Sequence, residues 1–378
     1  MADLPRVSIA ELADLAGGGA ARPPLDEAGQ VTEPLMAVDL DGGAPQAVLE
    51  RAAARARDQD RLLVGIATGP LAGSVRPLLA ALDLTLAAAE ARGVWGDGVP
   101  PGSGGSGGGV PPASTVECVS VADLDEAAGT LSRAAARNPQ ASLVLGQVLR
   151  ITEGLPVSAA LEVESFAYST LLGGPEFGRW LGARGDRPLP PPAELPVIVR
   201  RDGLRLLITL NRPERRNAYG RQLRDALTDA LRVALLDPAV TRVVLDGAGP
   251  CFCSGGDLAE FGTTPDLATA HFVRTRAGAA RLIGELGTRI EARVHGPCAG
   301  AGIELAAFAG TVVADAGTTF RLPEVGMGLI PGAGGTVSIP RRIGRWRTLY
   351  LALTGQALDV ATALAWGLVD RGPTAGHE

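Results

Sequence analysis

Residues Val294 to Gly335 read VHGPCAGAGIELAAFAGTVVADAGTTFRLPEVGMGLIPGAGG. Two glycine clusters and two carboxylates, Glu304 and Glu324, fall inside this one segment. Small residues at Gly300, Ala301 and Gly302 lead into a helical pattern, so Glu304 belongs to the first turn of the expected helix. The N–H groups of a first turn have no intrahelical acceptor, and the helix dipole adds partial positive charge there. Glu324 follows Leu322-Pro323, where the proline ring fixes φ, and Gly326 and Gly328 come just after.

Working outward, TRVVLDGAG (Thr241–Gly249) reads as a buried strand, and PCFCSGGDL then leads to Ser254-Gly255-Gly256, with a helix expected to begin near Asp257. Glycines there let the chain turn tightly and present consecutive N–H groups to a ligand. Two such N–H groups aimed at one point form an oxyanion hole, worth about 3–4 kcal/mol per donor to a reaction that builds charge on a carbonyl oxygen. Two carboxylates beside such a hole suit general acid–base work at the carbons next to that carbonyl. Taken singly, a glutamate near a helix start is also an ordinary dipole partner or cap, and isolated glycine patterns are weak signals.

The bulk properties bound the reading. A chain of 378 residues is long enough for two domains. Its net charge of −6 argues against nucleic acid as the main partner. All 35 basic residues are arginine, so any phosphate contact uses guanidinium forks or backbone N–H groups. The cysteines (Cys118, Cys251, Cys253, Cys298) and the scattered histidines (His271, His295, His377) show no metal-ligand spacing, and no metal site is expected. The N-terminus MADLPRVSIAELADL lacks the apolar core of a secretory signal, and no run of eighteen apolar residues exists. The expectation is a cytoplasmic protein without membrane contact.

Along the chain, residues 1–33 are expected to be poorly ordered apart from a short helix near Ser8–Leu15. Leu35–Leu40 and Arg61–Ala67 read as strands joined by a helix over Pro45–Asp58, a parallel crossover unit. A helix is expected over Val75–Glu90, then a low-complexity linker over residues 97–115, a strand at Val116–Val121 and a helix at Asp123–Arg137. Residues 139–184 read as all-helical, with Val157, Leu161, Tyr168 and Leu172 on one face. The proline run at 187–196 is taken as the boundary between a segment at 34–186 and a chemistry-bearing segment at 197–378. Leu204–Leu210, Arg221–Leu236 and Thr241–Gly249 repeat the earlier strand–helix–strand order, which suggests internal duplication; chance recurrence of a common unit is the alternative.

Five motifs in order then support a resemblance: LNRPERRNA (Leu210–Ala218), FCSGGDL (Phe252–Leu258), GPCAGAGIELA (Gly296–Ala306), FRLPEVGMGLIPGAGGT (Phe320–Thr336) and LTGQALDVATALAWGLVD (Leu353–Asp370). Residues 197–368 resemble the enoyl-CoA hydratase/isomerase family, the crotonase superfamily. The resemblance implies an α/β fold with a β-β-α spiral core, and an acyl-coenzyme A thioester as the ligand, with no separate cofactor. It implies that Gly256 and Ala301 supply the oxyanion-hole amides, that Glu304 and Glu324 are the two catalytic acids, and that Gly332 helps hold the water. It places Arg215, Arg216, Ala218, Ser254, Gly255, Asp257 and Leu258 in the coenzyme A-binding region, with Asp257 more plausible as a cap than as a catalyst. It also implies a homo-oligomer, trimer or hexamer.

The acid pair favours a hydratase, adding water reversibly to an α,β-unsaturated acyl-CoA. An isomerase or other acyl-CoA lyase of the same superfamily is an alternative, as is a non-catalytic CoA-binding scaffold. Three departures from the pattern stand out: Ala301 for the usual glycine, Gly310 for a frequent aspartate, and Arg321, which would lower the pKa of Glu324 if it pointed inward. The sequence stops soon after GLVD, where relatives have covering helices, while residues 139–184 resemble those helices. The N-terminal half therefore reads as a smaller degenerate copy that retains the helical module, and this module is expected to cover the catalytic core, within the chain or from a neighbour.

Overall fold

The computed structural model describes residues 4–15, 25–88 and 116–372, so the expected linker at 97–115 lies outside the described residues. The chain divides into two compact units. The first comprises Met1–Gly146 with Gly344–Tyr350, and the second Gln147–Ile343 with Leu351–Glu378.

The first unit contains β1 (Arg6–Ser8), α1 (Ile9–Asp14), β2 (Leu35–Asp39), α2 (Gln46–Arg57), β3 (Leu62–Ala67), α3 (Arg76–Ala81), β4 (Leu84–Ala88), β5 (Cys118–Val121) and α4 (Leu124–Arg137), and it runs into α5 (Pro139–Ile151). The five strands form one sheet in chain order, every neighbouring pair parallel. All six residues of β3 are buried, as a parallel strand covered on both faces requires.

The short helix expected near Ser8–Leu15 is present as α1, and a strand over part of Val75–Glu90, where helix is expected, is a correction. The N-terminal segment is built into the fold over Arg6–Asp14. Ser8 Oγ accepts from Glu11 N–H at 3.2 Å while Ser8 N–H donates to Glu11 Oε2 at 2.7 Å, a reciprocal cap that starts α1. Ile9, Leu12 and Ala13 then join the core of β2, α2 and β3. The helix expected over Val75–Glu90 ends at Ala81, and Leu84–Ala88 is a strand. A short, mostly apolar run such as LTLAA suits a buried strand as well as a helix. Asp83 decides the matter locally, because its Oδ2 accepts from Leu63 N–H at 2.8 Å and pins the entry of β4 to β3.

The second unit begins with α6 (Val157–Leu172) and α7 (Pro175–Arg184). It continues through β6 (Val197–Asp202), β7 (Arg205–Leu210), α8 (Arg221–Leu236), β8 (Arg242–Gly247), α9 (Leu267–Ala277), α10 (Ala280–Leu286) and β9 (Ile290–Val294). Then come β10 (Pro297–Ala299), α11 (Ala301–Ala306), β11 (Thr311–Ala314), β12 (Thr319–Arg321), α12 (Gly335–Thr354), β13 (Leu358–Asp359) and α13 (Val360–Trp366). β6 and β7 form an antiparallel hairpin, β7, β8, β9 and β11 are parallel neighbours in that order, and β10, β12 and β13 form a second small sheet. The parallel order β7-α8-β8, then β9, then β11 repeats β2-α2-β3, then β4, then β5, which supports the duplication. The spiral core is thus a mixed α/β arrangement in both halves.

The boundary between compact units falls after Gly146, inside α5, and not at the proline run. Helices α6 and α7 therefore belong with the core to which the sequence reading attached them only as cover. A helix near Asp257 does not form either. Residues 258–262 are turns, because Asp257 turns its side chain inward to accept from Ala259 N–H at 3.0 Å and to pair with Arg215.

Candidate active site

The ends of β8 and β10 set the site. Asn217, fully buried with φ 52°, ties the loop after β7 to the chain leaving β8: its Oδ1 accepts from Arg212 N–H, and its Nδ2 donates to the carbonyls of Ala248, Cys251 and Phe252. Asparagine tolerates this left-handed backbone better than most residues. The chain leaving β8 is thereby held so that Ser254 N–H reaches Arg216 O at 3.0 Å and Tyr219 N–H reaches Gly255 O at 2.7 Å. Gly256 and Ala301 then line one cavity of about 400 Å³. Neither N–H has an acceptor among the described residues.

Glu304, Glu324 and Gly332 line the same cavity. Glu304 is buried in the first turn of α11, and its Oε2 accepts from Ala333 N–H at 2.7 Å and Gly335 N–H at 2.9 Å. Glu324 begins a short 3-10 turn, and its Oε2 is buried with no hydrogen-bond partner. Gly300 is what admits it. With φ at +46°, a Cβ on residue 300 would stand 2.4 Å from Glu324 Oε1.

A third carboxylate completes the cluster, and the sequence reading missed it. Glu164 of α6 accepts from Gly334 N–H (2.8 Å) through Oε1, and from Thr336 N–H (2.9 Å) and Thr336 Oγ1 (2.7 Å) through Oε2. The amides of residues 333 to 336 thus alternate between Glu304 and Glu164, which grip the start of α12 between them. Tyr168, one turn further along α6, lies against Gly332 so closely that a Cβ there would fall 2.3 Å from its ring. The signal was present: a carboxylate at 164 interrupts the apolar face formed by Leu161 and Tyr168. The residues that line the acid cavity are therefore not confined to 197–378, since α6 contributes Glu164 and Tyr168.

Burial shapes the electrostatics. Desolvation, with the charges of Glu324 and Glu164 adding to it, pushes Glu304 well above the usual carboxylate range, although two amide donors oppose this. Desolvation raises Glu324 to about 8, and Glu164 to about 7 against the pull of its three hydrogen-bond donors. Three carboxyls in one dry pocket cannot all ionise cheaply, so the set retains protons near neutral pH. Arg321 is exposed and directs Nε to Gly355 O, and its charge is the weakest influence on Glu324. Gly310 has a plain explanation, since a Cβ there would fall 2.5 Å from Thr288 Cα.

The remaining predicted residues gather around a second cavity of about 360 Å³. Arg215, Arg216, Ala218, Ser254, Gly255, Asp257 and Leu258 all line it, and Gly256 and Glu324 border both cavities. Arg215 is committed to the buried Asp257, with Nη2 2.7 Å from Oδ1. Arg216 is exposed, with no ion-pair partner among the described residues. Arg187, from the proline run, joins the same wall.

Two adjoining cavities in an α/β fold, with Glu164, Glu304 and Glu324 lining the first and Arg187, Arg215 and Arg216 lining the second, frame the site. The chain belongs to the enoyl-CoA hydratase/isomerase family, whose model matches residues 203–373. A probable enoyl-CoA hydratase of Mycobacterium tuberculosis is 34% identical over 46% of this chain and 67% of its own length. The 2,3-dehydroadipyl-CoA hydratase of Escherichia coli is 35% identical, with the same coverage. The 1,2-epoxyphenylacetyl-CoA isomerase of that organism is 34% identical over 43% of this chain and 64% of its own. Among solved structures, enoyl-CoA hydratase subunit I of Geobacillus kaustophilus is 30% identical, covering 48% of this chain and 69% of that one, with a TM-score of 0.45. Among the described residues, no helix is long and apolar enough to cross a membrane.

Proposed function

We propose that the chain hydrates α,β-unsaturated acyl-CoA thioesters reversibly. The observation that supports this most is the meeting of Glu304, Glu324 and the unbonded N–H groups of Gly256 and Ala301 in one buried cavity. The thioester carbonyl accepts from the two N–H groups. Glu304 in its ionised form, which two amide donors favour against the desolvation and neighbouring acids that raise it, takes a proton from water as the water oxygen bonds to Cβ. The π electrons move toward the carbonyl, and the resulting enolate oxygen is stabilised where the two donors converge. Glu324, protonated at neutral pH, delivers a proton to Cα. The nucleotide end of the ligand occupies the second cavity, where Arg216 is free to meet a phosphate.

A double-bond isomerase is the second reading. Tyr168 favours it by occupying space beside the Gly332 amide, where a water would otherwise sit. Hydration of a panel of short 2-enoyl-CoA thioesters, with product analysis, tests both readings. Glu304→Gln and Glu324→Gln are each expected to lower kcat by about 10²–10⁴-fold while retaining thioester binding. Hydration retained in both variants would rule out the mechanism. Shifted double bonds without hydration would favour the isomerase, and binding with no turnover a scaffold. A homo-oligomer, trimer or hexamer, accompanies the proposal and is tested by sedimentation equilibrium.

A further inference from the structure

The acid cavity has one feature that neutral acyl chains do not use. Arg274 of α9 lines it, 4.5 Å from guanidinium carbon to the Tyr168 ring centroid, and Tyr168 lies directly against Gly332. The fork is half-occupied. Nε donates to Ser165 Oγ at 3.1 Å, Nη2 donates to Ser165 O at 3.1 Å and to Ser169 Oγ, and Nη1 has no acceptor among the described residues. No carboxylate of the described residues forms an ion pair with Arg274. Glu164 is spent on Gly334 and Thr336, and the other arginines on this wall that pair with acids, Arg224 and Arg281, do so with Asp225 and Glu285.

Arg274 is half-buried, and a guanidinium partly withdrawn from water is costly unless something compensates its charge, which Glu164 does only through space. Here the serines orient the group and fix one edge of it, while Nη1 is left without an acceptor on a residue that lines the cavity. A free guanidinium edge in a half-buried wall fits a carboxylate better than any neutral group, because both N–H vectors and charge are matched. We infer that the substrate is an acyl-CoA whose short acyl chain ends in a second carboxylate, a 2-enedioyl mono-thioester, with Arg274 binding the distal carboxylate. This rests on the acyl-CoA reading of the site and adds the chemistry of the far end of the chain. Arg274 is on this account a specificity-determining residue; it does not touch the reacting carbons.

The test compares ligands that differ only at that end. Titration calorimetry of the wild-type protein with glutaryl-CoA and pentanoyl-CoA is expected to show the dicarboxylic thioester bound about tenfold or more tightly, as a charge-assisted pair with a half-buried guanidinium allows. Arg274→Gln should erase the difference by weakening glutaryl-CoA alone, leaving pentanoyl-CoA within about twofold, whereas Arg274→Lys, which keeps the charge without the fork, should keep part of it. Equal wild-type affinities would overturn the inference, and so would an Arg274→Gln variant that weakens both ligands alike. The wild-type comparison needs no variant, so it decides the matter even if Arg274→Gln fails to fold. Hydration of glutaconyl-CoA and 2-pentenoyl-CoA separates the two readings. Preferred binding of glutaryl-CoA with no hydration of either enoyl thioester would sink the hydratase and leave the inference standing. Hydration of 2-pentenoyl-CoA as efficient as that of glutaconyl-CoA would sink the inference alone. Failure of every acyl-CoA to bind would overturn both.

Discussion

Substituting Glu164→Gln removes one charge and half of the hydrogen-bond acceptors from the grip on α12. The carboxylate accepts three hydrogen bonds, from two amides and one hydroxyl. A glutamine offers one carbonyl oxygen, and its NH₂ must face an N–H or O–H that is itself a donor. An unmatched buried donor costs about 1–3 kcal/mol. The pH dependence gives the sharper signature. Glu164 is raised from 4.5 to about 7, so the native state binds more protons than the unfolded chain between those values. Its contribution to stability is therefore complete below about pH 4.5 and is lost as pH rises through about 7, a change of about 3 kcal/mol. Denaturant unfolding at pH 5 and pH 8 should show Glu164→Gln strongly destabilised at pH 5 and much less so at pH 8. In hydration assays, loss of the neighbouring negative charge should move the pH profile of kcat/KM to lower pH, because that charge raises both Glu304 and Glu324. An unchanged pH profile together with equal destabilisation at the two pH values would refute the reasoning.

Other perturbations separate the remaining parts of the site. Gly300→Ala places a methyl 2.4 Å from Glu324 Oε1 in left-handed backbone, and is expected to cost about 1–2 kcal/mol in denaturant unfolding and to lower kcat far more than it raises KM. Arg216→Ala should raise KM about fivefold for a CoA thioester and leave it unchanged for the corresponding pantetheine thioester, since only the former has the nucleotide phosphates. Fragment 191–378 lacks Glu164 and Tyr168, leaving the Gly334 and Thr336 amides without their acceptor. It should be inactive or insoluble, and a stable, fully active fragment would contradict the role given to α6.

Much of the core was legible because its signals are local. Arg221–Leu236 emerges with the boundaries its amphipathic pattern suggests, and Glu304 lies in the first turn of a helix that small residues admit. The failures share one cause. Leu84–Ala88 is buried but for its last residue, with Thr85 the one polar side chain, so periodicity could not distinguish strand from helix until β3 supplied a partner through Asp83. The helix expected at Asp257 gave way to an ion pair with Arg215, 42 positions away.

The residue types and spacing of Val294–Gly335 determined, by themselves, that two acids would flank glycine-built backbone and that an acid–base site was to be found there. That Glu304 and Glu164 divide the amides of residues 333 to 336 between them was decided only in three dimensions. So was the placing of Arg274 on the wall of their cavity. Hydrogen-bond partners 170 residues apart leave no periodicity in the chain, and only packing of α6 against the start of α12 brings them together.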